Sequence, residues 1–274
     1  MQSGNALASR SRYDLTTNMA RLKGKTAIIT GATGGIGEAT AKLFLEEGAN
    51  VMLVGRSLEK LQESRGRLRT NTAIGHFVAD AGDEAATAAA VAETVKLFGG
   101  IDILFANAGT EGAVSPIEAI RMGDFEEVLR TNVLGVWLAI KHCVEPMKKR
   151  GGGSIIATAS ISGLRGFAAI VPYIASKHAV LGIIKSAALE LGPAGIRVNA
   201  IAPGPIDNRM IRSLETQFVP ENPDAIREVM NAKIALGRYG TNEEVAEMAL
   251  FLASDQSSYC TGGTFSIDGG YTAA

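Results

Sequence analysis

Short apolar runs alternate with longer amphipathic segments along most of this chain, and that rhythm restricts its fold more than any other feature. The runs are residues 26–30, 51–54, 74–79, 101–106, 154–159, 198–202 and 264–267. Each is short and mostly apolar, the pattern of a strand buried on both faces. Segments between the first six carry apolar residues at helical spacing, as in Ala39, Leu43 and Phe44, or Ala88, Val91, Val95 and Phe98. Alternating strands and helices predict an α/β fold: a doubly wound parallel sheet of about seven strands, with right-handed crossovers and helices on both faces. No linker or repeat interrupts the pattern, so residues 19–274 are expected to form a single catalytic domain. Residues 1–18 lack apolar periodicity and are expected to be a disordered leader or a cloning remnant. Residues 203–239 break the rhythm with four of the eight prolines, and the stretch 204–239 is read as a substrate lid.

Composition narrows the function. Of 274 residues, 46% are hydrophobic and 20% charged, which supports a globular core and excludes a disordered chain. The balance of 27 Lys+Arg against 28 Asp+Glu, net -1, provides no field to attract nucleic acid or an anionic membrane. No run reaches the roughly 18 apolar residues of a membrane span, so a cytoplasmic protein is expected, with small molecules or copies of itself as partners. Cys143 and Cys260, with His76, His142 and His178, are too scattered for a disulfide framework or a metal centre. Buried filler is the reading for both thiols, and no metal is expected.

The first run leads directly into Thr30-Gly31-Ala32-Thr33-Gly34-Gly35-Ile36-Gly37 and then a helix starting near Gly35. Glycines there let the backbone bend tightly and approach a pyrophosphate, whose charge the amides of a helix N-terminus stabilise. After the first strand of a βαβ unit, this turn reads as a dinucleotide site. The second run ends in Gly55-Arg56-Ser57, without the carboxylate that would bind an adenosine ribose 2'-OH and repel a 2'-phosphate. Arg56 can pair with that phosphate, so NADP(H) is expected over NAD(H). Farther on, Ser160 precedes Tyr173-Ile174-Ala175-Ser176-Lys177. Tyr173 and Lys177, four apart on a predicted helix, share a face, and an ammonium there would favour the phenolate.

These residues together resemble the classical short-chain dehydrogenase/reductase family from about Leu22 onward. The glycine turn resembles the family's cofactor turn, Asn107-Ala108-Gly109 its central-strand motif, and Tyr173-x-x-x-Lys177 its catalytic helix. The resemblance implies a Rossmann-type sheet and hydride transfer between nicotinamide C4 and a ketone or secondary alcohol. Tyr173 would be the general acid or base, Ser160 would orient the reacting oxygen, and Lys177 would bind the nicotinamide ribose and lower the tyrosine pKa. Asn132 would hold a water for proton supply. Asp80 and Ala81 would lie at the adenine, Asn107 would brace the strand, and Ala108, Gly109, Pro203 and Gly204 would approach the cofactor. Ile206 would meet the carboxamide, and Asn208 stands where a threonine usually contacts the carboxamide or pyrophosphate.

Substrate would be bordered by residues 110–114, 162–171 and the lid, with Phe167, Ile170, Met210 and Leu214 suggesting an apolar pocket. Arg165, Arg209 and Arg212 read either as solvated arginines or as anchors for an anionic group. Simple ketones and 3-oxoacyl-carrier substrates both remain open, beside a non-catalytic nucleotide-sensing regulator. Val136, Trp137, Ala139, Ala179, Gly182 and Ala187 exceed what one core face requires, and the resemblance implies helix pairing across dyads into a homotetramer, with a dimer as the fallback.

Overall fold

A computed structural model of the protein describes residues 20–68 and 73–273; the leader expectation for residues 1–18 lies outside the described residues. In chain order the elements are β1 (Thr26–Thr30), α1 (Gly35–Glu46), β2 (Asn50–Gly55), α2 (Leu58–Arg67), β3 (Ile74–Val78), α3 (Glu84–Phe98), β4 (Ile103–Ala106), α4 (Met122–Leu129), α5 (Gly135–Lys149), β5 (Gly153–Thr158), α6 (Val171–Leu191), β6 (Ile196–Pro203), α7 (Arg209–Phe218), α8 (Pro223–Lys233), α9 (Asn242–Ala253) and β7 (Thr264–Ile267). Every strand pair is parallel, and the order is β3-β2-β1-β4-β5-β6-β7. No helix among the described residues is long and apolar enough to cross a membrane.

Side-chain alternation along each strand divides the core into two layers. Ile28, Met52, Leu104 and Ile155 face one way, onto Val91 of α3, Ile140 and Cys143 of α5, and Val180 and Ile184 of α6. Ala27, Ile29, Val51, Phe105 and Ile156 face the other way, onto Phe44 of α1, Leu61 of α2, and Val245 and Leu250 of α9. Burial on both faces explains why these strands read as unbroken apolar runs. Val136 and Ala139 correct one expectation: they pack inside the first layer and are not surplus to the core. Trp137 and Leu189 are exposed instead.

The long helix expected before β5 is interrupted. A π turn, Arg130–Leu134, joins α4 to α5. Its wider winding rotates the following side chains, and Asn132 within it is fully buried.

Candidate active site

Strand order reverses between β1 and β4, which opens a crevice at the carboxyl ends of the central strands. The glycine turn occupies that crevice. Gly31 has φ +64°, and a methyl group there would lie 2.8 Å from Ala108 Cα; one on Gly37 would collide with the Gly31 carbonyl oxygen. The turn and the loop after β4 are therefore in backbone contact, with room only for hydrogen. Asn107 locks them together. Its Nδ2 donates to Thr30 O (3.4 Å) and Gly31 O (3.3 Å), and its Oδ1 accepts from Thr158 Oγ1 at 3.0 Å. Thr30 Oγ1 accepts the amides of Asn107 and Ala108 at 3.0 and 3.1 Å.

Helices α2, α3 and α9 have their first turns capped by the side chains of Ser57, Asp83 and Thr241. Helix α1 does not: its N-cap is Gly34, which makes no side-chain cap bond. Its leading amides, from Gly35, Ile36 and Gly37 beside Thr33, form the positive end of a helix dipole and suit a pyrophosphate. Gly37→Ala is accordingly expected to destabilise the fold by about 1–3 kcal/mol and to weaken dinucleotide binding. Thermal unfolding and a fluorescence titration check this, and unchanged values for both would contradict the cradle.

Around the rim, Arg56 is exposed at the end of β2. A Cβ added at Gly55 would make ordinary contacts, 3.5 Å from Leu61 and 3.6 Å from Thr33. Burial raises the Asp80 carboxyl, but hydrogen bonds from Arg130 (3.0 Å) and the Gly82 amide (2.9 Å), with the Arg130 and Arg56 charges, outweigh it and leave the group lowered. Ala81 packs against Gly135 at the start of α5, where a methyl would come within 2.9 Å. The Gly204 amide bonds Ile267 O at 2.9 Å, extending the end of β6 after Pro203. Ile206 bridges to Gly240 through Pro205 O and the Asp207 amide, which turns its own amide the opposite way. Asn208, expected to reach the cofactor, uses both ends within the protein. Its Oδ1 caps α7 by accepting from Met210 N (3.0 Å), and its Nδ2 donates to Asn242 Oδ1 (3.1 Å), which abuts Gly35.

Tyr173 and Lys177 occupy one face of α6, 9% and 3% exposed. The Lys177 Nζ lies 5.5 Å from the Tyr173 ring centroid and donates to Thr158 O at 2.8 Å. Burial lowers this ammonium to about 8. Asn132 accepts the Thr110 amide (2.8 Å) and donates to Thr110 O (2.9 Å) and to Ser176 Oγ (3.0 Å). Ser176 Oγ in turn donates to Tyr173 O at 2.7 Å. The amide of Asn132 is thus clamped between the β4 loop and α6. A methyl on Gly109 would sit 3.3 Å from Asn132 Oδ1 and 3.6 Å from Lys177 Nζ, so both polar groups converge on bare backbone there.

The lowering of Tyr173 expected from a cation and an oxidised nicotinamide together is not supplied by the protein by itself: burial pushes the phenol up to about 12, the Ser160 hydroxyl pulls it down, and the Glu111 charge pushes it up again. The ammonium of Lys177 is itself desolvated and turned to Thr158 O, over the ring, which weakens its hold on the phenolic oxygen.

On the substrate side, Ile170 is buried, and Met210 and Leu214 are half-buried on α7. Phe167 packs on Tyr271, ring centroids 6.1 Å apart, beside Ile161, Ile234 and Tyr239. The three arginines all have protein partners. Arg165 donates to Tyr271 O (3.4 Å) and covers the Phe167 and Tyr271 rings at 5.7 and 5.3 Å. Arg209 pairs with Glu111 at 2.8 Å, and Arg212 with Asp207 at 3.2 Å. Sequence reasoning missed Thr158, Ser176, Arg130 and Glu111. Ser176 alone carried a signal, lying one helical turn from Tyr173.

Lys177 supplies a test of whether a nicotinamide cofactor fits. An ammonium has three donors, and among the described residues it has one protein acceptor; the others suit ribose hydroxyls in the same crevice as the uncapped amides of α1. Comparison with known proteins agrees. Residues 31–272 match a family model described as enoyl-(acyl carrier protein) reductase. Levodione reductase of Leifsonia aquatica is 38% identical over 257 residues, covering 93% of this chain and 96% of that protein. A levodione reductase crystal structure superposes with a TM-score of 0.91 at 38% identity, covering 93% of this chain and 100% of that one. The 3-alpha-(or 20-beta)-hydroxysteroid dehydrogenase of Mycobacterium tuberculosis is 38% identical over 253 residues, 92% of this chain and 91% of that one. Glucose 1-dehydrogenase of Gluconobacter oxydans is 38% identical over 255 residues, 92% and 93% of the two chains. With a family model spanning nearly the whole chain and reductases and dehydrogenases of the same length as relatives, the chain belongs to the short-chain dehydrogenase/reductase family and is an oxidoreductase of CH–OH groups using a nicotinamide cofactor.

Proposed function

We propose that the protein interconverts an uncharged ketone and its secondary alcohol, with NADP(H) favoured over NAD(H) and Tyr173 as the general acid and base. The observation that carries this reading is the pairing of two buried groups on one face of α6: a phenol beside Ser160, and an ammonium with donors to spare. A bound nicotinamide supplies the hydride to the carbonyl carbon, or accepts it from the alcohol. In reduction Tyr173 gives its phenolic proton to the carbonyl oxygen; in oxidation the phenolate takes it back. Ser160 hydrogen-bonds that oxygen and fixes its distance from Tyr173. Lys177 would hold the ribose, and its charge, added to that of an oxidised nicotinamide, would bring the phenol down from its protein-only value. The proton would be replenished through a water held near Asn132, beside Gly109, where Asn132 Oδ1 and Lys177 Nζ converge.

Residues 19–274 act as one catalytic domain in this reading, residues 204–239 serve as the lid, and the enzyme works in the cytoplasm. The uncharged substrate class rests on the arginines. Arg209 and Arg212 are already paired with carboxylates, and Arg165 is bonded to Tyr271 O and lies over the Phe167 and Tyr271 rings, an arrangement that favours an uncharged substrate. Relatives named for levodione, hydroxysteroids and glucose support the same class. The family model's description favours the second reading, an acyl-carrier substrate. Turnover of uncharged ketones in preference to 3-oxoacyl thioesters in a two-direction substrate panel supports the first reading; the reverse order supports the second.

The cofactor preference rests on Arg56 and on the missing acid at Gly55. Since a Cβ at Gly55 would meet only ordinary contacts, Gly55→Asp is expected to test recognition with the fold kept. The variant is expected to shift kcat/KM toward NAD(H) on the order of tenfold, about 1.4 kcal/mol. Equal efficiency of the wild type with both cofactors would overturn the preference. Exposed Trp137 on α5 and Leu189 on α6 support assembly through these helices into a homotetramer. Sedimentation is expected to give that species, and a monodisperse monomer contradicts it.

A further inference from the structure

Glu111 lies two residues beyond Gly109, and its carboxylate is buried where its partner is not. Its side chain is 8% exposed, against 73% for Arg209. The two meet in a bidentate pair, Nη1–Oε1 2.8 Å and Nη2–Oε2 3.1 Å. Arg209 opens α7, and Gln217, near the other end of that helix, accepts the Val114 amide at 3.0 Å. Helix α7 is therefore strapped to the β4 loop at both ends. Thr110, the neighbour of Glu111 in that loop, is the residue clamped by Asn132, and Asn132 leads through Ser176 to the backbone of Tyr173. A continuous series of bonds thus runs from the outer edge of the lid to the catalytic helix.

We infer that Glu111, held by Arg209, is a positioning residue of the reaction: it docks the α7 lid over the substrate and sets the charge that faces Tyr173. The inference rests on the reading of Tyr173 as general acid and base. A buried carboxylate requires a paired cation, so the lid helix completes the site electrically as well as sterically. Facing Glu111 are Arg209 and Ser213 on α7 and Tyr173 on α6; facing Tyr173 are Ser160, Lys177 and Glu111. Burial raises the Glu111 carboxyl, but hydrogen bonds from Arg209 and Ser213 leave it lowered, and its negative charge opposes the phenolate.

Two single variants then act in opposite directions. Glu111→Gln removes the opposing charge, and the alkaline rise of alcohol oxidation is expected at lower pH. Arg209→Gln leaves that charge uncompensated, and the same rise is expected at higher pH. Both loosen the lid, raising KM for the ketone on the order of tenfold and speeding proteolytic cleavage within residues 204–239, a readout that needs no turnover. The probe is the uncharged alcohol that the wild type oxidises fastest, assayed beside Tyr173→Phe. Opposite pH displacements with faster cleavage in both variants support the inference. Superimposable profiles, displacement in one common direction, or unchanged cleavage in Arg209→Gln overturn it. If Glu111→Gln does not fold, Arg209→Gln decides alone by the sign of its displacement and its cleavage rate. Turnover retained in Tyr173→Phe would instead remove the underlying reading of Tyr173.

Discussion

Tyr173→Phe is expected to lower kcat for both reduction and oxidation by about 10²–10⁴, the span assigned to a positioned general acid or base. The ring of Phe fills the same space, so α6 and its bond from Ser176 Oγ to the residue 173 carbonyl persist. What disappears, on the proposed mechanism, is the proton delivered to the carbonyl oxygen. Ser160, 8% exposed, loses a neighbour, and stability is expected to fall by about 1 kcal/mol. Binding of the dinucleotide should be nearly unchanged, because its amides, glycines and lysine are untouched. Stopped-flow turnover, thermal unfolding and a cofactor titration separate these effects. A variant that kept kcat would show that the proton comes from elsewhere, and one that lost cofactor affinity would show that the phenol is a binding group.

Lys177→Met is expected to divide activity from stability. The ammonium sits 3% exposed with one protein acceptor, and burial lowers it from 10.5 to about 8. That displacement corresponds to a burial penalty of about 3 kcal/mol on the charged form. Replacement by an apolar side chain of similar length removes the penalty and leaves Thr158 O without a donor, a loss of about 1–2 kcal/mol. The variant should therefore melt at the wild-type temperature or a few degrees above it. Its kcat should fall on the order of 10²–10³, as when an electrostatic stabiliser is removed, with weaker cofactor binding. Folded Lys177 loses its proton at about 8 whereas the unfolded residue keeps it to 10.5. Wild-type stability should rise with pH between those values as a result, and this increment should vanish in Lys177→Met. On the proposed mechanism, reduction should decline above pH 8 as Lys177 loses its charge. A marked loss of stability in Lys177→Met would contradict the account, because it would make the lysine a structural group.

The inner strands β1, β2, β4, β5 and β6 were legible because they are buried on both faces and so read as apolar runs, whereas the edge strands β3 and β7 are only partly buried. The phosphate turn was legible because Gly31 and Gly37 leave no room for a side chain, a constraint written directly in the residue type. Even here local pairing moved a boundary. Residues 101 and 102 extended the fourth run, yet β4 begins at Ile103, since the Asp102 carboxylate accepts the Thr26 amide at 2.9 Å and pairs with Arg150. Tyr173 and Lys177 could be found because they lie one helical turn apart. Partners joined only by the fold could not: Glu111 and Arg209 are 98 positions apart, and Asp80 and Arg130 are 50. The π turn that carries Asn132 had no sequence signature, because Thr131, Asn132 and Val133 occur in regular helices too. That Asn208 also caps α7 and bonds Asn242 could not be read from the sequence, since both depend on how the lid starts. The direction of the Tyr173 shift also depended on burial, which spacing does not report.

The central claim is that this site moves a hydride and a proton across an uncharged carbonyl, the proton through Tyr173. NADPH consumption over a panel of uncharged ketones, with NADH and with Tyr173→Phe run in parallel, tests it most directly. The account predicts ketone-dependent consumption that is faster with NADPH and lost in the variant. Consumption that did not depend on any ketone, or that persisted in Tyr173→Phe, would contradict it.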